Sequence, residues 1–92
     1  LLPATTLYRL SGSKPLRPAS VSDDGTRTYI AWAADQAIPA TFALGPTGEE
    51  QTVDGYMRDG IYTIDRVYSV LIFRIDRQHA RAVRIDRSKA HG

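Results

Sequence analysis

Cysteine is absent from this 92-residue chain, so neither a disulfide framework nor a thiolate metal site can be built from it. Histidine is nearly absent: His79 falls near a turn and His91 in the tail, too far apart to supply a closely spaced zinc pair. No apolar run approaches the roughly 18 residues of a membrane-spanning helix. The chain opens at Leu1 without a methionine, a basic n-region or an apolar h-region. It reads as one domain over residues 1–92 cut from a longer protein, with 1–5 a linker and 88–92 a tail. Helix is also missing. Only Ala33–Ala37 has a helix-compatible composition, and it is too short for more than a turn. Catalytic patterns are lacking as well: no serine sits in a Gly-x-Ser-x-Gly elbow and the glycines form no phosphate loop. The adjacent Asp23 and Asp24 are explained by Asx hydrogen bonding in a turn, and Glu49 and Glu50 by solvation beside one. No catalytic residue, metal ligand or cofactor is expected, and the chain does not read as an enzyme.

What is present is arginine and strand pattern. The net charge of +2 comes from twelve basic residues, ten of them Arg, against ten acidic ones. The excess gathers at the end, where Arg74, Arg77, Arg81, Arg84, Arg87 and Lys89 face only Asp76 and Asp86. Arg81, Arg84 and Arg87 therefore form a candidate basic surface. With Tyr and Phe on nearby strands, they give the alternative reading of a small all-β module for single-stranded nucleic acid or another polyanion. Against it, the eight aromatics are dispersed singly among the strands, as core filling requires.

The chain is organised around Asp23-Asp24-Gly25 and the run Thr28-Tyr29-Ile30-Ala31-Trp32: a turn, then a strand of residues that suit a pleated, half-buried surface. Thr6–Leu10 alternates as a first strand. Ser11 to Pro18 reads as an extended, exposed connection because it carries two prolines. Further strands follow at Ala40–Leu44, between Glu50 and Met57 with a bulge or kink at Asp54-Gly55, at Ile61–Ile64, at Val70–Ile75 and from Ala80 to Ile85; Asp59-Gly60 is a hairpin turn. Val70–Ile75 is apolar on both faces and is placed centrally, with Phe73 in the core. The fold class is all-β, an antiparallel β-sandwich of about eight short strands.

Several of these stretches together resemble the C-terminal domain of the CagX/TrbG family, the ninth VirB-type subunit of bacterial type IV secretion systems. The resemblance is carried by Pro18 followed by Val21-Ser22-Asp23-Asp24-Gly25 and Thr28-Tyr29, then in order by Ile38-Pro39-Ala40, Gly45-Pro46-Thr47-Gly48-Glu49, Tyr62-Thr63-Ile64-Asp65-Arg66-Val67 and Leu71-Ile72-Phe73-Arg74-Ile75. It covers about Tyr8 to Arg87. Two departures stand out: the family's Val-Asn-Tyr is Val53-Asp54-Gly55-Tyr56 here, and the glycine usual after the Leu-Arg-Leu strand is Asp76.

This resemblance implies a structural subunit of the outer-membrane core complex of a conjugal transfer channel, in the periplasm of a Gram-negative bacterium. It implies as partners a short lipoprotein subunit and a TonB-like scaffold subunit, in a ring of many copies. An open sheet edge is a template for an added strand unless proline, lysine or a bulge blunts it. Thr6–Leu10 has none of these, so it is the expected edge for strand addition by the lipoprotein, with Leu7, Tyr8, Arg9 and Leu10 as the partner-binding residues.

Overall fold

A computed structural model describes residues 6–85. Nine strands form in the order β1 (Thr6–Gly12), β2 (Ser20–Asp23), β3 (Thr28–Ala31), β4 (Ala40–Leu44), β5 (Glu50–Thr52), β6 (Gly55–Arg58), β7 (Ile61–Ile64), β8 (Val70–Ile75) and β9 (Gln78–Arg84). The all-β antiparallel class is as the alternation predicts. The only helical turn among the described residues is a 3-10 turn at Lys14–Leu16, where the sequence suggested an exposed connection; its Leu16 is buried.

All nine strands belong to one sheet, in the order β5-β4-β8-β9-β1-β2-β3-β7-β6. The sheet curls so that both halves turn one face to a common core: Val21, Ile30 and Ile64 from one half meet Ala43, Leu71, Phe73, Ala80 and Ala82 from the other. Trp32, just past β3, closes the gap between them with an edge-to-face contact on Phe73, the ring centroids 5.2 Å apart. Tyr29, of opposite parity, points outward. Because successive side chains alternate, β8 sends Leu71 and Phe73 inward and Ile72 outward.

The corner of this curl is β1. It pairs with β2 at Thr6 and Leu7, then with β9 from Tyr8 to Gly12. The expectation that β1 is an open edge is therefore corrected in part: β2 takes one side beside Thr6 and Leu7 and β9 the other beside Tyr8–Gly12, so β1 is not an end of the sheet, although each stretch is laddered on one side. Proline content misled the assignment, because Pro15 and Pro18 mark the 3-10 turn and the start of β2 and not a blunted edge. Where β1 leaves β2, the Gly12 carbonyl is taken instead by the Arg17 guanidinium, at 2.7 and 3.1 Å. Gly12 must be glycine: its φ is +92° and an added Cβ would lie 2.7 Å from the Ala80 Cα.

The true edges are β5 and β6. They are consecutive in sequence, and the two-residue link Val53-Asp54 carries the chain from one end of the sheet to the other. The Asp54-Gly55 kink is thus a change of sheet end and not a bulge within one strand. Asp76, which replaces the family's usual glycine, takes the left-handed conformation at φ 54° in the β8–β9 turn.

Phe73 is fully buried and fills the space between the two halves. Phe73→Ala should destabilise the domain by about 3–5 kcal/mol in urea titration; a loss under about 1 kcal/mol would show that the core lies elsewhere.

Candidate functional site: the β1–β9 corner

Antiparallel pairing sets Tyr8 opposite Arg84, Arg9 opposite Val83 and Leu10 opposite Ala82. Alternation then splits the expected binding residues into two groups. Tyr8 and Leu10 face the core, while Leu7 and Arg9 face outward. Tyr8 was expected to anchor a partner; it is instead 8% exposed and tied down inside. Arg84 was expected on a basic surface and is likewise turned inward. Arg81 is exposed on the outward face, and Arg87 lies outside the described residues.

The inward pair meets at a buried carboxylate. Asp23, at the end of β2, has no solvent-exposed side-chain surface. Its Oδ2 accepts the Tyr8 hydroxyl at 2.8 Å and the Arg84 Nε at 2.8 Å, and its Oδ1 accepts an Arg84 terminal nitrogen at 3.1 Å and the Gly25 amide at 2.9 Å. Burial alone would raise the Asp23 carboxyl. The hydrogen bonds from Arg84, Tyr8 and Gly25 outweigh it and hold the group below its ordinary value. Burial, then the hydrogen bond to the Asp23 carboxylate, pushes the Tyr8 phenol well up, so it stays a donor at every physiological pH.

Neighbouring bonds fasten the 66–69 segment to the same corner. The Thr28 hydroxyl donates to the Arg66 carbonyl at 2.6 Å and the Arg84 amide to the Ser69 carbonyl at 2.8 Å. In the adjoining turn Asp24 accepts the Arg27 and Thr26 amides and the Tyr29 hydroxyl, which lower its carboxyl to about 2. Both aspartates are thus structural, as the Asx-turn reading expects, but Asp23 also reaches 61 residues along the chain to Arg84.

On the outward side the same register gathers apolar residues. Leu7, 51% exposed, lies beside Ile85, 39% exposed, whose amide donates to the Leu7 carbonyl; Val83, 38% exposed, sits between Arg9 and Val70. On the same face Ile72 of β8 is covered, at 4% exposure, and Phe42 of β4 is half-buried; Arg74 lies over the Phe42 ring at 5.7 Å while Glu50 grips its guanidinium with two bonds of 2.7 Å. Arg9 and Arg81 flank the band. Val83 and Ile85 were not singled out from the sequence, although their alternation with Ala82 and Arg84 placed them on the face of Arg81.

A separate open cleft lies between the Gly45–Gly48 turn and the 66–70 segment; Arg66 is its one charged lining residue. Among the described residues no group of His, Asp and Glu could hold a metal ion. What the corner offers is an outward apolar band of Leu7, Val83 and Ile85 with cationic flanks.

The chain matches the CagX family, described as a conjugal transfer protein, over residues 3–88. It belongs to the CagX family. It is 34% identical over 64 residues to the type IV secretion system protein PtlF of Bordetella pertussis, and equally to the PtlF homologs of Bordetella parapertussis and Bordetella bronchiseptica. The match takes in 70% of this chain and 23% of each relative, so the chain spans about a quarter of the length of those proteins. For this CagX-family domain, then, the β1–β9 corner combines an outward apolar band with a buried ion pair beneath it.

Replacing Asp23 by Asn removes the countercharge of a part-buried Arg84, whose side chain is 26% exposed, and should cost about 3 kcal/mol at pH 7. A carboxyl held below 3.8 in the native state contributes stability that is complete above that pH and is lost as pH falls through the native value. The gap between wild type and Asp23→Asn in urea midpoints should therefore be constant from pH 7 to pH 5 and shrink below about pH 3.8. A gap that does not change with acid would mean that packing, and not the ion pair, is the cause.

Proposed function

We propose that this domain is a structural subunit of a type IV secretion or conjugal transfer channel, held in the outer-membrane core complex on the periplasmic side, and that it acts by binding other subunits and not by catalysis. The observation that carries the reading is the outward apolar band at the β1–β9 corner in a chain that belongs to the CagX family. The type IV secretion relatives support the channel assignment, although they extend well beyond the matched region.

The partner in this reading is a short lipoprotein subunit, lying across Leu7, Val83 and Ile85 with Arg9 and Arg81 at its flanks; a TonB-like scaffold subunit and further copies of the chain complete the ring. Pairing with β9 occupies the side of β1 to which Arg9 and Ser11 direct their backbone groups, so contact through the outward face is favoured over strand addition on that side. A polyanion site at the C-terminal arginines has less support, since Arg84 is committed to Asp23.

Central apolar anchors dominate interface energies, and a charge placed among them is left without water or a partner. Leu7→Asp and Val83→Asp should each weaken binding of the lipoprotein subunit at least about tenfold in calorimetry, while an Arg66→Ala change in the separate cleft leaves it unaltered. Unchanged affinity in both Asp variants would move the interface away from this corner.

A further inference from the structure

The β6 edge carries a second, self-complementary surface. Asp59 and Gly60 both have positive φ, 52° and 79°, which makes the β6–β7 connection a two-residue turn with Arg58 and Ile61 as its closing pair. In such a hairpin the closing residues bond to each other, so Arg58 and Tyr56 direct their backbone groups toward β7. Gly55 and Met57 therefore direct their N–H and C=O groups out of the sheet, where no strand follows.

The two edges are not equally receptive. β5 is three residues long, wholly polar in Glu50-Gln51-Thr52, and has Glu50 engaged by Arg74. β6 presents Tyr56 and Met57, 41% and 50% exposed, without a proline or lysine to deter pairing.

We propose that β6 pairs antiparallel with β6 of a second copy of this chain about a two-fold axis through Tyr56, setting Gly55 opposite Met57 and Asp54 opposite Arg58. This register follows from the free groups. Outward-directed residues must meet outward-directed residues, which allows Gly55 opposite Met57 and the slips by two residues either way. Only the central register brings Arg58 against Asp54 of the other copy, and symmetry does so twice. The slip one way sets Arg58 against Tyr56, and the slip the other way sets it against Thr52. Among the described residues neither Asp54 nor Arg58 has an ion-pair partner within its own chain, and both are exposed.

Side chains agree with the same register. Tyr56 meets its symmetry mate in a non-hydrogen-bonded pair, where side chains approach most closely. Met57 comes to lie over Gly55 of the other copy, whose missing side chain is replaced by the Tyr62 ring: an added Cβ there would be 2.4 Å from the Tyr62 ring. A thioether at the edge of a ring is a favourable neighbour. Five paired residues make a small interface, so the dimer is weak and reversible; because a two-fold contact closes on itself, it joins free copies of the chain and is distinct from the ring contacts proposed above.

Sedimentation equilibrium of the 92-residue chain, from about 10 µM to about 1 mM at low salt, tests the pairing. Concentration-dependent dimerisation is expected. Arg58→Asp and Asp54→Arg should each weaken it at least about tenfold by setting like charges opposite one another, and the double variant Asp54→Arg/Arg58→Asp should restore it, because each reversed charge then meets its reversed partner. Circular dichroism melts matched to wild type confirm that the variants fold. A chain that stays monomeric throughout, or a dimer indifferent to the single reversals, overturns the proposal and leaves the β6 edge to an extended segment of another protein.

Discussion

Everything outward in this domain depends on a carboxylate that is fully inward. Asp23 is buried and charged, which is tolerable only because Tyr8, Arg84 and the Gly25 amide all donate to it. Those donors come from β1, β9 and the turn after β2, so the bond set holds three neighbouring parts of the sheet in one arrangement. Buried ion pairs contribute little net stability compared with apolar packing, and their best-attested use is in selecting one arrangement over others. Here the alternative is a one-residue slip of β1 against β9. Such a slip would turn Leu7 and Arg9 inward in place of Tyr8 and Leu10 and take the Tyr8 hydroxyl away from Asp23.

The surface of the corner is the complement of that inward set. With Tyr8 and Arg84 committed to Asp23, alternation leaves Leu7, Arg9, Arg81, Val83 and Ile85 on the outside. The curl of the sheet has a second effect. It brings β1 to the middle of the strand order and leaves β5 and β6 at the ends, so the domain offers a sheet face at the corner and an open backbone edge elsewhere.

Local order was readable from the sequence because its causes are local. The Asp23-Asp24-Gly25 and Asp59-Gly60 turns, the inward and outward sets of each strand, the central β8 and the buried Phe73 all follow from periodicity and turn chemistry. Neighbour relations were not readable, since pairing is decided by residues far apart. Nothing near Thr6–Leu10 states that β9 will lie along it, and without that knowledge a strand lacking proline looks like an open edge. The same distance hid the partner of Arg84: a run of basic residues reads as a charged surface until Asp23 is brought beneath it. Val83 and Ile85 are legible in the sequence, because the parity that places Arg81 outward places them there too.

The most direct test of this arrangement is amide hydrogen exchange resolved by residue at low micromolar concentration. The bonds from Ile85 to Leu7 and from Ser13 to His79 bracket the β1–β9 ladder and direct the amides of Arg9 and Ser11 into it. Arg9 and Ser11 should exchange only on global unfolding, as slowly as Phe73 in β8, while the edge amides of Gly55 and Met57 exchange orders of magnitude faster. Arg9 and Ser11 amides exchanging as fast as that of Met57 would contradict the β1–β9 pairing, and with it the corner on which both the buried carboxylate and the outward face depend.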